Sequence, residues 1–368
     1  MSYTGPKVHI DLAQLAKNYQ LVRNEVDNIP VMATVKANGY GHGAVEVSKV
    51  LEKEGVNYFA VFTLEEGIEL RDAGIRTDIL VYSKLDPNRL SEAEAHNLTL
   101  NVSSFHDLQA LKSHQGDSIK VHLKIDTGMT RLGVPLEQAE AFLQEANQID
   151  GIEIEGLYSH FATADEGDLS YANDQLNKFN DVLAIAEKLG INPTFIHCSN
   201  SGAILNLPES RFNMVRVGML LYGAFPSDEV PQDLPIKPVM TFTAPVVEIR
   251  DVKAGTPISY GGVYTTEKDT RIAVVQAGFA DGVPRPWYID GFVKFKDQNL
   301  KITGRICMDQ LMIDIGSTDI QYGDEVLIFG SNEHGTIDVN EIANTINSTS
   351  YVLVTAIGIR PKKIYLNQ

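Results

Sequence analysis

Val31-Met-Ala-Thr-Val-Lys-Ala-Asn-Gly-Tyr-Gly-His-Gly43 is the stretch that decides the fold, because an apolar strand pattern ends here in a lysine and a glycine-rich turn. Burying an unpaired ammonium is strongly disfavoured, so a lysine at the end of a buried strand needs a purpose. Lys36 could form a Schiff base with an aldehyde, because burial lowers the pKa of an amine and leaves it nucleophilic. Gly39, Gly41 and Gly43 would then let backbone N–H groups approach an anion.

Two other interpretations of this stretch stay open. Lys36 can simply extend to solvent from the strand end, since its apolar stem packs while the ammonium stays hydrated. Gly39-x-Gly41-x-x-Ala44 also fits the loose dinucleotide-binding pattern, with Glu65 where a ribose-binding acid belongs. The remainder of the chain has to separate a cofactor lysine from a nucleotide turn.

The composition argues against several kinds of partner and site. The chain has 368 residues, enough for two domains, and its formal net charge of -17 argues against nucleic-acid or anionic-membrane partners. Residues 1–11 do not resemble a signal peptide, and no apolar run is long enough to span a membrane. Cys198 and Cys307 are the only cysteines, too few for a disulfide framework or a structural zinc site. We therefore expect a soluble, cytoplasmic protein that binds no metal.

Strand-like and helix-like patterns alternate along the first part of the chain. Predicted helices begin at capping patterns, such as Thr63 with Glu66 and Ser104 with Asp107, and end at glycines such as Gly74. About eight strand–helix units result, which is the count of a (β/α)8 TIM-type barrel and more than a doubly wound dinucleotide fold usually has. The predicted strands are residues 31–37, 59–62, 79–83, 98–102, 121–126, 154–160, 195–201 and 214–221.

A proline-rich segment separates this barrel from a second domain. Pro226, Pro231, Pro235 and Pro238 lie among polar residues, which is typical of a linker. Beyond them, short strand patterns are broken by Gly and Asp, and only residues 339–346 indicate a helix. We therefore predict a barrel domain at residues 1–234 and a mostly β domain at residues 235–368. A further hypothesis is that residues 1–11 join the β domain, because the barrel is complete without their strand.

The polar residues at the predicted strand ends belong together, because a barrel carries its site at the C-terminal ends of its strands. Each has an ordinary explanation when taken alone, namely a hydrogen-bonded strand histidine, a strand-end ion pair or a helix cap. Together with the lysine they outweigh those explanations and indicate one site. They are Lys36, Tyr40, Lys124, Asp126, Arg131, His160, His197, Asn200, Ser201, Arg216 and Gly218.

Several motifs, in their order along the chain, resemble those of the alanine racemases, pyridoxal phosphate (PLP) enzymes with a barrel and a C-terminal β domain. The resemblance runs nearly end to end and implies a cytoplasmic, homodimeric isomerase that interconverts L- and D-alanine and supplies D-alanine for peptidoglycan. The most specific motifs are VKANGYGHG at 35–43, KIDTGMTRLG at 124–133, SHFATAD at 159–165, SYG at 259–261, ADG at 280–282 and GRICMD at 304–309.

The resemblance also implies how the cofactor would be held. Lys36 would bind the PLP aldehyde, and Arg216 would face the pyridine nitrogen. Because arginine keeps its proton, that nitrogen would stay unprotonated, and the shallower electron sink favours reprotonation at Cα over transamination or decarboxylation. Further PLP contacts are implied for Tyr40, His160, Asn200, Ser201, Gly218, Met219 and Tyr351, with His197 behind the ring.

Racemisation needs one acid/base group on each face of Cα. The resemblance implies Lys36 for one face and Tyr260 for the other; without it, Tyr260 would pass for a packed loop tyrosine. A free tyrosine has a pKa of about 10 and needs nearby cations, for which Arg131 and His160 are the candidates. Tyr260 and Met308 would reach the barrel of a second subunit, with Arg131 and Met308 on the substrate carboxylate. Supporting roles are implied for Lys124 (a carbamate orienting Arg131), for Asp165, Arg285 and Arg305 (a polar access corridor) and for Asp309.

Three positions depart from the alanine racemase pattern. Phe279 stands in place of an expected tyrosine, Val352 in place of a glutamate and Thr130 in place of a glycine. None of them is an implied acid/base group, so the reaction type is unaffected while substrate breadth stays open. The alternatives are a broader or serine-preferring racemase, a related barrel decarboxylase and a non-catalytic PLP carrier. A nicotinamide dehydrogenase would rest only on the glycine turn.

Overall fold

The structure, a computed structural model, describes residues 5–367 and divides into two compact units. The barrel unit comprises Ala16–Gly39 and Gly43–Ile236. The β unit comprises the chain up to Leu15, the segment Tyr40–His42 and the chain from Lys237 onward, and it includes the first strand, β1 (Lys7–Asp11).

The barrel unit contains the parallel strands that the sequence predicts. They are β2 (Val31–Thr34), β3 (Tyr58–Val61), β4 (Ile79–Val81), β5 (Thr99–Val102), β6 (Ile119–Asp126), β7 (Val134–Pro135), β8 (Ile152–Tyr158), β9 (Phe195–His197) and β10 (Val215–Val217). The helices up to this point are Leu12–Glu25, Ala44–Lys53, Leu64–Asp72, Leu90–Ala95, Phe105–Lys112, Ala139–Ala146, Ser170–Lys188, Ser201–Asn206 and Met219–Tyr222. Short 3-10 helices are Pro87–Arg89, Leu136–Gln138 and Pro208–Ser210.

These strands form a nearly closed barrel. Their order is β10-β2-β3-β4-β5-β6-β8-β9, all paired in parallel, with β7 beside β6. The two end strands meet where the backbone N–H of Arg216 donates to Ser199 O at 3.0 Å. β2 to β5 are buried along their whole length, as expected for parallel strands that are covered on both faces. The predicted (β/α)8 barrel is confirmed.

Three predicted strands extended three or more residues too far. β2 ends at Thr34, β9 at His197 and β10 at Val217, whereas the predicted strands continued to residues 37, 201 and 221. After β10 the apolar run continues as a buried helix, Met219–Tyr222. Periodicity alone does not separate a buried strand from a buried helix, so an apolar run overestimates the strand.

The predicted helix caps are confirmed. Thr63 and Glu66 form a capping box before Leu64–Asp72, and the Ser104 side chain accepts from the N–H of Asp107. Gly74 follows its helix with a φ of +95°, a left-handed conformation that glycine adopts without steric cost.

The β unit is a mostly β fold, as predicted. Its further strands are β11 (Met240–Val252), β12 (Pro257–Ile258), β13 (Tyr264–Thr265), β14 (Thr270–Val275), β15 (Phe292–Phe295), β16 (Gln298–Lys301), β17 (Leu311–Asp314), β18 (Glu325–Asn332), β19 (Gly335–Ile337) and β20 (Lys362–Leu366). Strand β1 pairs antiparallel with β11 and parallel with β20, in the order β16-β15-β18-β11-β1-β20. The 3-10 helices are Tyr260–Gly262, Phe279–Asp281 and Arg285–Tyr288.

The prediction of a single helix in this part of the chain was wrong. Besides Val339–Thr345, a second helix spans Ser350–Thr355. Its β-branched residues obscure it, but its buried side chains at Ser350, Leu353 and Val354 recur at helical spacing. Within residues 5–367 no helix is long and apolar enough to cross a membrane. The described residues contain no group of three or more His, Cys, Asp or Glu side chains arranged to hold a metal ion.

Candidate active site

Lys36 lies just beyond the end of β2, where the backbone enters a left-handed turn. Ala37, Asn38 and Gly39 have φ values of 51°, 53° and 61°, and Tyr40 follows at 51°. For residues other than glycine, this conformation costs roughly 1–2 kcal/mol each. The turn therefore stores strain directly beside the lysine, and the surrounding structure has to hold it.

Hydrogen bonds within the turn hold that conformation. Asn38 accepts twice, at its side-chain oxygen from the N–H of Ala44 (3.0 Å) and at its carbonyl from the N–H of Gly43 (2.8 Å). The N–H of Gly39 donates to Val35 O at 2.8 Å. The N–H groups of Gly39 and Gly43 are thus used inside the turn.

The amine of Lys36 has a pKa below its ordinary value. Burial is the main cause, and the positive charge of Arg131 adds to it, while Glu66 opposes them. A lowered pKa increases the fraction of unprotonated amine at neutral pH, which is the form that attacks an aldehyde. The structure therefore supports the interpretation of Lys36 as a nucleophile over a lysine that extends into water.

Arg216 is 4% exposed and ties three strand ends together. Its NH1 group donates to Nδ1 and to the carbonyl oxygen of His197, at 2.8 and 3.1 Å. Its NH2 group donates to the carbonyls of Ser159 and Cys198 and to Nδ1 of His160, at 2.9, 3.0 and 3.0 Å. Within the described residues Nε–H has no protein acceptor, so this one donor remains for a ligand.

The two histidines beside Arg216 are neutral. A guanidinium only donates, so Nδ1 of His160 and of His197 must be unprotonated to accept from it. Burial, followed by the charge of Arg216, holds the pKa of each ring well below its ordinary value. His160 therefore supplies no positive charge to a neighbouring tyrosine, and the prediction that it does was wrong.

Tyr158, which was not predicted as a site residue, lies beneath the cations of the site. Its ring stacks on His197 with centroids 4.7 Å apart, and its hydroxyl donates to Asn101 Oδ1 at 2.8 Å. The Nζ of Lys124 lies 5.3 Å and the Cζ of Arg216 5.5 Å from its ring centroid. An electron-rich ring face stabilises such cations. Burial, together with Arg216 and Arg131, lowers the pKa of Lys124 to about 7.

A second set of unpredicted polar residues lies deeper in the barrel. His122 Nδ1 is 2.9 Å from His197 Nε2, and His122 Nε2 is 3.4 Å from Glu155 Oε2. The Tyr58 hydroxyl donates to the same carboxylate at 2.6 Å, and Lys120 Nζ lies 3.0 Å from its other oxygen. We call Arg216, His197, His122 and Glu155 the polar column.

The sequence contained a signal for this column. Lys120, His122, Lys124 and Asp126 alternate along β6 and so share one face of the strand. Polar side chains on the buried face of a barrel strand need partners, and those partners lie on other strands. The alternation could have been recognised, but the identity of the partners depends on the register.

The start of the helix Ser201–Asn206 forms a third part of the site. Asn200 caps it, because its side-chain oxygen accepts from a backbone N–H in the first turn at 3.0 Å. Ser201 Oγ accepts from the N–H of Gly218 at 3.2 Å, which joins this helix to the end of β10. A Cβ on Gly202 would lie 2.8 Å from atoms of Asp165, so the predicted corridor residue packs directly against the helix start.

In the β unit, Tyr260 and Met308 are 66% and 54% exposed. Ser259, with a φ of +62°, donates its hydroxyl to Arg305 O at 2.6 Å, and Met308 O accepts from the N–H of Ala280 at 3.0 Å. The two exposed side chains therefore lie on backbone segments that are joined to their neighbours by hydrogen bonds.

Other predicted residues of the β unit lie in two further contacts. The rings of Tyr40 and Tyr351 have centroids 5.9 Å apart. Asp309 pairs with Arg360 at 2.8 Å, and Arg360 also pairs with the buried Asp281 at 3.1 Å. The ion pair between Asp309 and Arg360 connects the Met308 loop to the C-terminal segment.

The departures from the alanine racemase pattern have distinct surroundings. Phe279, Val352 and the exposed Arg285 line one pocket of the β unit. Thr130, in the barrel unit, has a φ of +53°. A β-branched residue is strained in this left-handed region, and glycine is not.

Comparisons with known proteins cover the whole chain. A model of the alanine racemase N-terminal domain matches residues 10–226, and one of the C-terminal domain matches residues 239–365. An alanine racemase of Desulforamulus reducens is 40% identical over 364 residues, with 97% of this chain and 98% of that protein covered. Alanine racemase 2 of Caldanaerobacter subterraneus subsp. tengcongensis is 38% identical over 366 residues, with 98% and 94% covered. A solved alanine racemase from Clostridium difficile 630 has a TM-score of 0.94 at 36% identity, with 100% and 97% covered.

Proposed function

We propose, because this chain belongs to the alanine racemase family, that it interconverts L-alanine and D-alanine as a PLP-dependent isomerase. The observation that carries the proposal is the pairing of two groups in the barrel unit. Lys36 has an amine whose pKa is lowered by burial, and Arg216 has one guanidinium donor left for a ligand. Production of D-alanine for peptidoglycan is consistent with this activity.

The residues present fit pyridoxal phosphate. An amine with a lowered pKa suits the aldehyde, and hydroxyl and backbone groups near the start of the helix Ser201–Asn206 suit a phosphate. Bound PLP would withdraw electrons from the Cα–H bond of an attached amino acid. We propose Lys36 for the aldehyde, Arg216 for the pyridine nitrogen, His160 and His197 beside the ring, and Asn200, Ser201, Gly218, Met219, Tyr40 and Tyr351 for the phosphate end.

Arg216 supports racemisation over other PLP chemistry. It cannot release a proton, and five acceptors fix its NH1 and NH2 groups, so it meets a ligand nitrogen only as a donor. An acceptor nitrogen opposite it stays unprotonated. The site then withdraws electrons weakly, which favours return of the proton to Cα over loss of carbon dioxide.

Two groups of this chain would move the proton at Cα. We propose the Lys36 amine on one face and the Tyr260 hydroxyl of a second subunit on the other. The strong exposure of Tyr260 and Met308 supports contributions from the β unit to a partner's barrel, and hence a homodimer with shared sites. Arg131, whose charge also acts on Lys36 and Lys124, is the cation that we assign to the substrate carboxylate, together with Met308.

Lys124 is suited to carbamylation. With a pKa of about 7, a large fraction of its amine is unprotonated at neutral pH and can attack carbon dioxide, releasing one proton. The resulting anion would lie near the cations that now lower the pKa of Lys124 and would orient Arg131. A 13C NMR signal of a carbamate in 13C-bicarbonate, absent in Lys124→Met, is the expected result; equal spectra for both proteins would contradict the assignment.

The remaining assignments are proposals of the same kind. The polar access corridor would contain Asp165, Arg285 and Arg305, and Asp309 would support the Met308 loop through its ion pair with Arg360. We also propose the domain division at 234/235, with residues 1–11 in the second domain, where β1 pairs with β11 and β20.

The test is direct. Protein purified with PLP should show an absorption band at the edge of the visible range, and borohydride reduction should remove that band. The reduced cofactor should then be attached covalently to Lys36. The protein should form D-alanine from L-alanine. The variant Lys36→Ala should show neither the absorption band nor this activity. PLP-loaded protein that leaves L-alanine unchanged, in the absence of inhibitors, refutes the proposal.

A second candidate, a broader or serine-preferring racemase, follows from the pocket that Phe279 and Val352 line. Parallel assays with L-alanine and L-serine decide it: a higher kcat/KM for L-serine favours this candidate. Substituting Phe279→Tyr with Val352→Glu should then move the preference toward alanine.

A further inference from the structure

The polar column starts at Arg216 and His197, which are assigned above to the cofactor, and continues into the barrel interior to His122 and Glu155, which have no assigned role. It begins at Arg216 and continues through His197 and His122 to Glu155, with successive contacts of 2.8, 2.9 and 3.4 Å. All four side chains are buried. Buried polar networks are retained when every member is satisfied, so the column has a defined order of donors and acceptors.

Only one order of protons fits these contacts. Arg216 donates to Nδ1 of His197, so the proton of that ring is on Nε2, which donates to Nδ1 of His122. The proton of His122 is then on its own Nε2, which donates to the Glu155 carboxylate. Both rings are therefore neutral Nε2–H tautomers, and each fixes the tautomer of the next.

The column does not conduct protons. Arg216 cannot give up its proton, so the path has no exit at that end. A proton added to His197 would bring an N–H against the NH1 group of Arg216. The role of the column is to fix tautomers, because the proton position at the Glu155 end determines which ring nitrogen His197 presents to Arg216.

Glu155 fixes the same order of protons from the other end of the column. It accepts from the hydroxyl of Tyr58 at 2.6 Å and lies 3.0 Å from Lys120 Nζ, in addition to its contact with His122. Burial alone would raise its pKa, but these hydrogen bonds outweigh burial and lower the pKa to about 2. The carboxylate is therefore an acceptor throughout the neutral range and holds His122 in one tautomer.

Gly156 leaves the space that this arrangement needs. A Cβ at this position would lie 2.5 Å from the ring atoms of His122, closer than real contacts allow. Gly156 pairs with His122 in the β6–β8 register, and its φ is not in the left-handed region. Glycine is therefore needed at position 156 because a side chain would collide with the His122 ring, and not because of the backbone conformation.

We propose that Glu155 and His122 are positioning residues for racemisation: they fix the Nε2–H tautomer of His197, whose Nδ1 lone pair then holds Arg216 in place. If the proton of His197 were on Nδ1, the 2.8 Å hydrogen bond would be lost, and Nδ1–H would face the NH1 donor of Arg216. This inference rests on the proposed function only for the role of Arg216 toward a cofactor nitrogen. The tautomer chain itself is a property of the protein alone.

The first experiment therefore uses the full chain without cofactor. In 15N-histidine-labelled protein, long-range 1H–15N NMR should show His122 and His197 as neutral Nε2–H tautomers, unchanged from pH 6 to 9. Glu155→Gln keeps an acceptor without the charge and should preserve both tautomers, whereas Glu155→Leu should change them. Lys120→Met, which leaves the carboxylate and His122 in place, is the matched control and should match the parent. Unchanged tautomers in Glu155→Leu overturn the inference.

Gly156→Ala supplies an independent variant in case Glu155→Leu does not fold. It should displace the His122 ring and alter the His197 signal, while Gly358→Ala, whose Cβ would lie 3.7 Å from the nearest atom, should not. Identical histidine spectra for Gly156→Ala and the parent would also overturn the inference.

A second readout uses the PLP-loaded enzyme. Glu155→Leu should lower kcat for alanine by up to about 100-fold with little change in KM, because misplacement of Arg216 affects the reacting state more than substrate binding. Glu155→Gln should restore most of kcat. A parent protein that fails to racemise alanine would refute the proposed function, and the tautomer result would stand or fall separately.

Discussion

Removing the amine of Lys124 should stabilise the cofactor-free barrel. Its pKa of about 7, against an ordinary value of 10.5, means that the folded state binds this proton more weakly than the unfolded state does. The difference corresponds to about 5 kcal/mol in the free energy of unfolding. Lys124→Met removes this cost and places an apolar side chain of similar length in the same buried position.

The effect has a defined pH window. Below pH 7 Lys124 is protonated in both states, and the folded state bears the whole cost. Between about pH 7 and 10.5 only the unfolded state binds the proton, so the free energy of unfolding of the parent rises by up to about 1.4 kcal/mol per pH unit. The stability advantage of Lys124→Met should therefore be largest at pH 6 to 7 and vanish near pH 10.5.

The assay is urea unfolding followed by far-UV circular dichroism, at intervals from pH 6 to 10.5, in buffers free of carbon dioxide so that no carbamate forms. The single tryptophan, Trp287, lies in the β unit, and its fluorescence reports that unit separately. Lys49→Met, which removes an exposed lysine on a helix, is the matched control and should follow the parent at every pH. Parallel curves for Lys124→Met and the parent, or a variant less stable at pH 7, would refute the reasoning.

Three further predictions concern other parts of the site. Tyr260→Phe should slow exchange of the Cα proton with solvent much more for one enantiomer than for the other, because one face of Cα loses its acid/base group, while kcat/KM falls equally in both directions of racemisation. Deuterium incorporation into L- and D-alanine measures this, and equal slight losses of exchange from both enantiomers would contradict the two-base assignment. Thr130→Gly should raise the free energy of unfolding by about 1 kcal/mol, since glycine adopts a φ of +53° without strain; a lower thermal midpoint would contradict this. Asn38→Ala should lower stability by about 1–2 kcal/mol through loss of its hydrogen bond to Ala44, with Asn38→Gly, which relieves the backbone strain, less affected in thermal unfolding.

Much of the barrel was predictable because its determinants are local. Apolar runs predicted its strands, and capping residues such as Thr63 and Ser104 predicted where helices begin. Strand ends were less predictable: the run through Met219 stays apolar after β10 because the next helix is also buried. The helix Ser350–Thr355 was missed because β-branched residues favour strands, and packing of its buried face outweighs that preference.

Some residues of the candidate site could be predicted from the sequence, and others could not. Lys36 and Arg216 could be proposed from sequence, because each puts a charge at the end of an apolar strand. The neutrality of His160 could not, since it follows from a hydrogen bond to Arg216, far away in the sequence. The same holds for Glu155, whose significance depends on the contact between β6 and β9 that joins His122 to His197.

The left-handed turn after Lys36 also affects how relatives can be recombined. The segment Tyr40–His42 within it is part of the β unit, although it lies in the chain between two stretches of the barrel unit. There Gly41 has room only for hydrogen, since a Cβ would lie 2.2 Å from Val354 O. A chimera that exchanges only the C-terminal domain would replace the backbone against which this glycine fits. The unit that can be exchanged between homologues is therefore the C-terminal domain together with these three residues, and not a segment bounded by a single crossover.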